Sequence, residues 1–305
     1  MEERAGTSGH QRLPGAMRAL GRHTFRAFGL ATQRFRPLPD FLIIGTKRGG
    51  TTSMYRYLRE HPQVLPLFPS ANHLPMAEDM KGVHYFDSGG RHGVAWYRSH
   101  FPSVLSRSVI ERRHGASPVA GEASPYYLFH PKAAERAHRA VPDAKILVML
   151  RNPVERTYSH YAEQRRNGVE KLSLEEALEA ESQRLEGEEE RLVRDPYYRS
   201  FAHEHQSYVA QSEYLRPLRR WTARFPAPQV LLLRSEDFFD APSDVFGEVL
   251  SFLGLSSIPL ANVRPLNASG KSPLSAATRR RLESHFESHI LALEEYLGRD
   301  LQWRS

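Results

Sequence analysis

Residues 40–52 read Asp-Phe-Leu-Ile-Ile-Gly-Thr-Lys-Arg-Gly-Gly-Thr-Thr, and this stretch decides the fold class. An apolar, β-branched run that ends at Gly45 is typical of a buried parallel strand entering a tight loop. A helical pattern follows from Thr51 and stops at Pro62. Strand, glycine-rich loop and helix in this order predict a P-loop-like nucleotide-binding βα unit.

Two further apolar runs, residues 145–150 and 229–233, are predicted to be buried strands, each preceded by a helical pattern. Strands that alternate with helices predict an α/β fold with a central parallel sheet and helices on both faces. Residues 172–194 are highly charged and begin with a capping box, so we expect an exposed helix there. A chain of 305 residues suits one such domain, which we assign to residues 39–305.

Composition excludes several functions. The chain has no cysteine, so it has no disulfide framework, thiolate zinc site, iron–sulfur cluster or cysteine nucleophile. No apolar run approaches the length that crosses a bilayer. Outside the N-terminal segment, the sequence lacks a basic stripe with interleaved aromatic residues, so we expect no nucleic-acid partner.

Residues 1–38 hold seven arginines against two glutamates and therefore carry most of the net charge of +7. We expect a basic, flexible, solvated extension. A basic amphipathic helix on an anionic membrane is the alternative, but the apolar spacing fits one helical face only loosely. Recurrent arginines also interrupt the apolar stretch that a signal peptide needs, so we expect an uncleaved segment and a cytoplasmic protein.

The glycine loop differs from the Walker A motif of kinases and NTPases. That motif places lysine directly after the last glycine and a magnesium-binding hydroxyl next to it. Here Thr51 follows Gly50, and the cations Lys47 and Arg48 lie inside the loop. The pattern therefore predicts a phosphate site without a metal ion.

A second cation follows the second strand. A Walker-type enzyme has a metal-binding aspartate at that point, whereas this chain has Arg151. Ser159 lies eight residues further on, two turns into a helix that begins near Pro153, and could share a phosphate with Arg151. The two motifs together predict two phosphate sites for one nucleotide.

These motifs resemble those of the sulfotransferases that use 3′-phosphoadenosine 5′-phosphosulfate (PAPS), most closely the heparan-sulfate-type carbohydrate branch and its bacterial relatives. Residues 41–52 are similar to the family's 5′-phosphosulfate loop, and residues 150–161 to its 3′-phosphate motif. Weaker matches follow in the family's order at residues 84–87, 122–125 and 214–226, and residues 269–273 resemble the loop that closes over the nucleotide. The resemblance implies PAPS contacts from Lys47, Arg48, Gly49, Gly50, Thr51, Thr52, Arg151, Ser159, Gly270 and Lys271.

Three departures from the family pattern are at positions where the family has active-site residues. Arg48 stands where the family usually has a lysine, and Gly82 where the heparan-type enzymes have a glutamate base. Ala123 replaces another lysine, although Lys81 introduces a cation near His84. The resemblance therefore implies sulfuryl transfer by an altered active site.

For catalysis we expect Arg48 and Lys47 to stabilise the charge that develops on the leaving nucleotide. His84 is the candidate general base, because imidazole titrates near neutral pH, and Asp87 could orient it. A packed, purely structural histidine is the alternative. If His84 is not the base, the remaining candidates are Glu78, Asp79 and Glu122.

Lys81, Asp87 and Glu122 are the candidate acceptor contacts. The expected acceptor is a hydroxyl or amino group of a carbohydrate, glycolipid or small natural product, and its identity and the oligomeric state stay open. Two other functions also stay open. One is a nucleotide-binding relative without catalysis, and the other is a P-loop kinase with an irregular loop.

Overall fold

The computed structural model describes residues 15–69, 80–87, 91–260 and 274–304, with side chains from residue 23 onward. Within these residues, one sheet contains five parallel strands in the order β2-β3-β1-β4-β5. The strands are β1 (Phe41–Gly45), β2 (Val64–Leu65), β3 (Val119–Ala123), β4 (Lys145–Leu150) and β5 (Val230–Arg234). The three predicted strands are confirmed, β5 with a shift of one residue.

Helices account for most of the remaining described chain. The helices are α1 (Gly15–Ala31), α2 (Thr51–Glu60), α3 (Val94–Arg98), α4 (Val104–His114), α5 (Ala133–Ala140), α6 (Pro153–Arg166), α7 (Leu174–Leu185), α8 (Glu188–Arg194), α9 (Phe201–His205), α10 (Leu215–Thr222), α11 (Ser235–Asp240), α12 (Pro242–Leu253) and α13 (Ala276–Leu297). In this part of the chain, no helix is both long enough and apolar enough to span a bilayer.

The side chains of β1 point alternately to the two faces of the sheet, and each face packs in its own hydrophobic core. Leu42 and Ile44 pack with side chains of α5, α10 and α13, whereas Phe41 and Ile43 pack with side chains of α2, α11 and α12. Successive residues of a strand point to opposite faces, and all five residues of β1 are buried. The predicted arrangement of a parallel sheet covered on both faces is confirmed.

The charged segment over residues 172–194 forms two helices rather than one. The predicted capping box is present, with Ser173 accepting from the Glu176 amide and the Glu176 carboxylate accepting from the Ser173 amide. The break between α7 and α8 falls at Gly187, whose φ of 71° interrupts a helix. Helix α7 is also less exposed than expected, because its residue Glu181 points inward and accepts hydrogen bonds from the amides of Val209 and Ala210.

The N-terminal segment differs from the expected solvated extension in its described side chains. Arg26 in α1 donates to the Ser99 hydroxyl at 2.9 Å, and the Phe28 ring lies 6.1 Å from that of Phe68. Arg36 is 3 % exposed and donates to the Phe101 carbonyl at 2.6 Å. Arg26, Phe28 and Arg36 therefore contact the body, whereas Leu30 and Phe35 stay exposed.

Candidate functional site

The candidate site lies at the carboxyl ends of β1 and β4, which are neighbours in the sheet. Parallel strands bring the loops that follow them to one edge, where α/β proteins bind ligands. A cleft of about 480 Å³ opens there. Eight of the predicted site residues line it, namely Lys47, Arg48, Gly50, Thr51, Thr52, Lys81, His84 and Arg151.

The two glycines of the loop serve its shape in different ways. Gly50 has a φ of 87° at the N-cap of α2, a conformation that side chains disfavour. A Cβ atom at Gly49 would lie 2.8 Å from the Met149 carbonyl oxygen. The Gly49 amide donates to the Thr46 carbonyl at 3.0 Å and the residue does not line the cleft, so the structure gives it a packing role.

Carboxylates face both cations of the loop. The Lys47 ammonium donates to the Glu204 backbone carbonyl at 2.8 Å and lies 3.4 Å from its carboxylate. Arg48 pairs with Glu163 at 2.6 Å, and its Nε donates to the Ser159 hydroxyl at 3.0 Å. Burial lowers the pKa of Lys47 and of Arg48, and the carboxylates oppose that effect. The loop therefore offers two partly desolvated cations to an anion.

Lys81 adds a third cation to this loop. Its ammonium donates to the Thr52 hydroxyl at 2.6 Å, although the two residues are 29 positions apart. Burial lowers the pKa of Lys81, and the neighbouring Arg48 and Lys47 lower it further, whereas Glu163 raises it. Lys81, expected to be an acceptor contact, thus contacts the first turn of α2, which directly follows the glycine-rich loop.

Arg151 reaches the same cleft from β4. Its guanidinium donates to the Arg48 carbonyl at 3.2 Å and lies 5.7 Å from the centre of the Phe239 ring. The Tyr214 hydroxyl donates to the Arg151 carbonyl at 2.8 Å and fixes the backbone. Ser159 is 1 % exposed and does not line the cleft, so its role as a phosphate ligand stays a prediction.

His84 and Asp87 form a hydrogen-bonded pair at the rim of the cleft. The His84 Nδ1 lies 2.7 Å from the Asp87 carboxylate, and 46 % of the His84 side chain is exposed. Burial alone would lower the pKa of His84, but the hydrogen bond and charge of Asp87 outweigh it, so the net pKa is raised. With Nδ1–H donated to Asp87, Nε2 is the atom that can accept a proton.

Glu122 does not reach the site, which corrects its assignment as an acceptor contact and as a reserve base. It is 0 % exposed, and its carboxylate accepts hydrogen bonds from Tyr97, Tyr127, Ser124 and the Val83 amide. Burial raises the pKa of Glu122, while these donors lower it. Its carboxylate ties β3 to the segment that carries His84.

Gly82 has a packing reason for lacking a side chain. A Cβ atom there would lie 2.6 Å from the Ala123 carbonyl oxygen and 2.6 Å from the Ser124 hydroxyl. The Ala123 amide donates to the Lys81 carbonyl at 2.6 Å, which holds the segment against the end of β3. A glutamate cannot occupy this position without backbone movement.

A smaller pocket of about 160 Å³ adjoins the cleft and shares His84 and Glu204 with it. Its other lining residues are mostly polar and come from the His84 segment, the segment between β3 and α5, α8 and the segment before α9: Asp87, Tyr126, His130, Leu192, Arg199 and Ser200. His84 therefore lies between the cationic cleft and a polar pocket. This arrangement suits a base that serves a second, hydroxylated molecule.

Sequence reasoning missed Glu163 and Glu204. Glu163 follows Ser159 by four residues in α6, so helical periodicity places both on one face and could have identified it. Glu204 lies in the short helix α9, far from any recognised motif, and carried no signal. Four predicted residues, Glu78, Asp79, Gly270 and Lys271, lie outside the described part of the chain.

Two curated proteins with sequences similar to this chain are sulfotransferases. The curated protein "Membrane-associated sulfotransferase kil1" of Dictyostelium discoideum is 28 % identical, over 88 % of this chain and 67 % of its own length. The human "Heparan sulfate glucosamine 3-O-sulfotransferase 6" is 29 % identical over 73 % of this chain. The match covers 54 % of the human protein, so this chain spans about half of its length.

A solved structure with a similar fold is also that of a sulfotransferase. The crystal structure of a sulfotransferase from Alicyclobacillus acidocaldarius superposes with a TM-score of 0.62 at 29 % identity, and covers 88 % of this chain and 100 % of that one. Residues 38–264 match the family model described as "Sulfotransferase domain". The predicted resemblance is confirmed, and this chain belongs to the sulfotransferase domain family, a family of transferase enzymes.

Proposed function

We propose that this enzyme transfers the sulfuryl group of PAPS to a hydroxyl or amino group of a carbohydrate, glycolipid or small natural product. The observation that carries the proposal is the convergence of four cations, Lys47, Arg48, Lys81 and Arg151, on one cleft. They come from three separate segments, and two carboxylates only partly offset their charge. Such a site favours a polyanion with more than one anionic group.

The residues present fit the PAPS nucleotide. Gly50 has a φ of 87°, and a Cβ atom there would lie 3.1 Å from the Phe239 ring, so glycine suits the shape of this loop beside the cleft. Lys47, Arg48, Lys81 and Thr52 would hold the 5′-phosphosulfate, and Arg151 the 3′-phosphate. PAPS supplies the sulfuryl group, and its S–O bond to the nucleotide breaks as the acceptor oxygen or nitrogen bonds to sulfur.

The chain's own groups stabilise charge and accept the proton. Arg48 donates to Ser159, and Lys81 donates to Thr52. Both therefore hold cationic N–H groups in place for the negative charge that develops on the nucleotide. His84 Nε2 takes the acceptor proton, while Asp87 holds the ring and stabilises the imidazolium that forms. The acceptor occupies the polar pocket on the far side of His84.

Calorimetric titration with 3′-phosphoadenosine 5′-phosphate (PAP), beside ADP and ATP without magnesium, tests the proposed donor. We expect PAP to bind most tightly and Arg151→Ala to weaken PAP binding roughly 10- to 100-fold, the usual effect of losing a charged hydrogen bond. Arg112→Ala, an exposed arginine in α4, is the control and should bind like the wild type. Equal binding of all three nucleotides, or binding of ATP that requires magnesium, would refute the proposal in favour of a kinase.

Glu163→Gln should tighten PAP binding, because the carboxylate competes with the nucleotide for Arg48. We expect a gain of roughly 5-fold, comparable to a partly exposed ion pair. Glu179→Gln, which removes an exposed ion pair with Arg281 away from the cleft, is the matched control. Weaker PAP binding in Glu163→Gln would show instead that the carboxylate positions Arg48 for the nucleotide.

A non-catalytic nucleotide-binding relative is the second candidate, and the packing around Gly82 favours it. The usual glutamate base cannot be accommodated there. Tight PAP binding without sulfation of any member of a broad sugar and phenol panel would support this candidate. Release of PAP with a sulfated product would exclude it.

A further inference from the structure

A second cluster of potential ligands lies at the surface, away from the cleft. His285 and His289 are four residues apart in α13, so both imidazoles project from one face of the helix. Glu213, in the turn before α10, meets them from the neighbouring segment. None of the three lines the candidate active site.

The distances are close to those of a coordination sphere. The Glu213 Oε1 lies 3.0 Å from His285 Nε2 and 3.7 Å from His289 Nε2. One ligand atom from each of the three side chains lies within 4.8 Å of the others. Bonds of about 2.0–2.1 Å in a tetrahedral site separate ligand atoms by roughly 3.3 Å, so small rotamer adjustments complete the arrangement.

The surroundings admit an ion. The three side chains are between 36 % and 43 % exposed, so a hydrated cation can reach them and keep water as a fourth ligand. The two imidazole rings lie 25° from parallel with centres 5.2 Å apart, and the Nε2 atom of each faces the same carboxylate oxygen of Glu213. Two imidazoles and one carboxylate are a donor set that Zn²⁺ and its neighbours in the periodic table prefer over Mg²⁺ or Ca²⁺.

We propose that Glu213, His285 and His289 form a binding site for a divalent transition-metal ion, with Zn²⁺ as the reference ion. The ion ties α13 to the turn before α10. Glu213 directly precedes Tyr214, whose hydroxyl holds the Arg151 backbone. Bound metal therefore stabilises the packing of α13 on α10 and on the segment that carries Tyr214, without taking part in chemistry.

Titration of the full chain with Zn²⁺, after tag removal and dialysis against a chelator, tests the site by calorimetry and thermal unfolding. We expect one ion per chain and a rise of about 5 °C in Tm at saturating Zn²⁺. His289→Ala and Glu213→Gln should each weaken binding at least about 10-fold and abolish the rise in Tm. Co²⁺ in place of Zn²⁺ should give the strong visible absorption of a tetrahedral site.

His114→Ala, an exposed histidine at the end of α4, is the matched control and should bind Zn²⁺ like the wild type. Circular dichroism and Tm in the presence of chelator should be the same for all variants, which separates loss of a ligand from loss of the fold. The proposal is wrong if the wild type binds no ion stoichiometrically. It is equally wrong if His289→Ala and Glu213→Gln bind Zn²⁺ as tightly as the control.

Discussion

Replacing Arg48 by alanine should lower kcat by about 10²- to 10³-fold, the usual cost of removing one preorganised donor to a developing negative charge. Arg48 lies inside the glycine-rich loop, donates to Ser159 and pairs with Glu163. Its guanidinium is therefore held in place before the reaction begins. Steady-state sulfation assays with PAPS, together with PAP titration, separate its effect on turnover from its effect on binding.

Arg48→Lys is the informative companion variant. Lysine keeps the charge but lacks the planar guanidinium that hydrogen-bonds Ser159 and Glu163 at the same time. We therefore expect only partial recovery of kcat. PAP affinity should fall less than kcat in both variants, because Lys47, Lys81 and Arg151 would still hold the nucleotide under the proposed function. A raised KM for PAPS with unchanged kcat would contradict this role and assign Arg48 to ground-state binding.

His84→Ala should reduce kcat by about 10²- to 10⁴-fold with a hydroxyl acceptor, which is the range for loss of a positioned general base. The base must be neutral, so activity falls as pH drops below its pKa. Because the pKa of His84 is raised from 6.5, the wild-type enzyme should lose activity at a higher pH than a free imidazole would dictate. The fall of kcat/KM at low pH, the acid limb of its pH profile, measures this pKa.

Asp87→Asn should move that limb to lower pH. Burial, which lowers the pKa of His84, is then opposed only by the smaller effects of Glu122 and Glu204. His205→Ala is the control, because His205 also lines the cleft but its pKa is lowered, by burial first. An acid limb that survives in His84→Ala, or one that disappears in His205→Ala, would assign the base to another group.

Local sequence determined the frame of this site. The run from Phe41 to Gly45 forms the buried strand that its apolar, β-branched residues predict, and Gly50 adopts a left-handed conformation at the start of the helix that follows. Arg151 at the end of β4 followed from the same reasoning. These features depend on near neighbours in the chain, so apolar patterning and glycine positions suffice to predict them.

Where local patterns mislead, the partner lies far away in sequence. β3 contains Gly121 and Glu122 and does not read as a buried strand, yet a network of hydroxyl and amide donors accommodates its carboxylate. The sequence placed Glu122 at the site because it is the first residue of a stretch, residues 122–125, that resembles a family motif. The structure turns it into the core, because each carboxylate oxygen has donors there.

The sequence by itself determined a parallel α/β sheet, a glycine-rich loop with internal cations and a further cation after β4. Only the tertiary structure decided that Lys81 reaches Thr52, that Glu163 and Glu204 pair with the loop cations, and that His84 stands between two pockets. Strand and helix periodicity act over a few residues, whereas these contacts join segments 29 to 157 positions apart. Packing of the whole chain is what brings such groups within hydrogen-bonding distance.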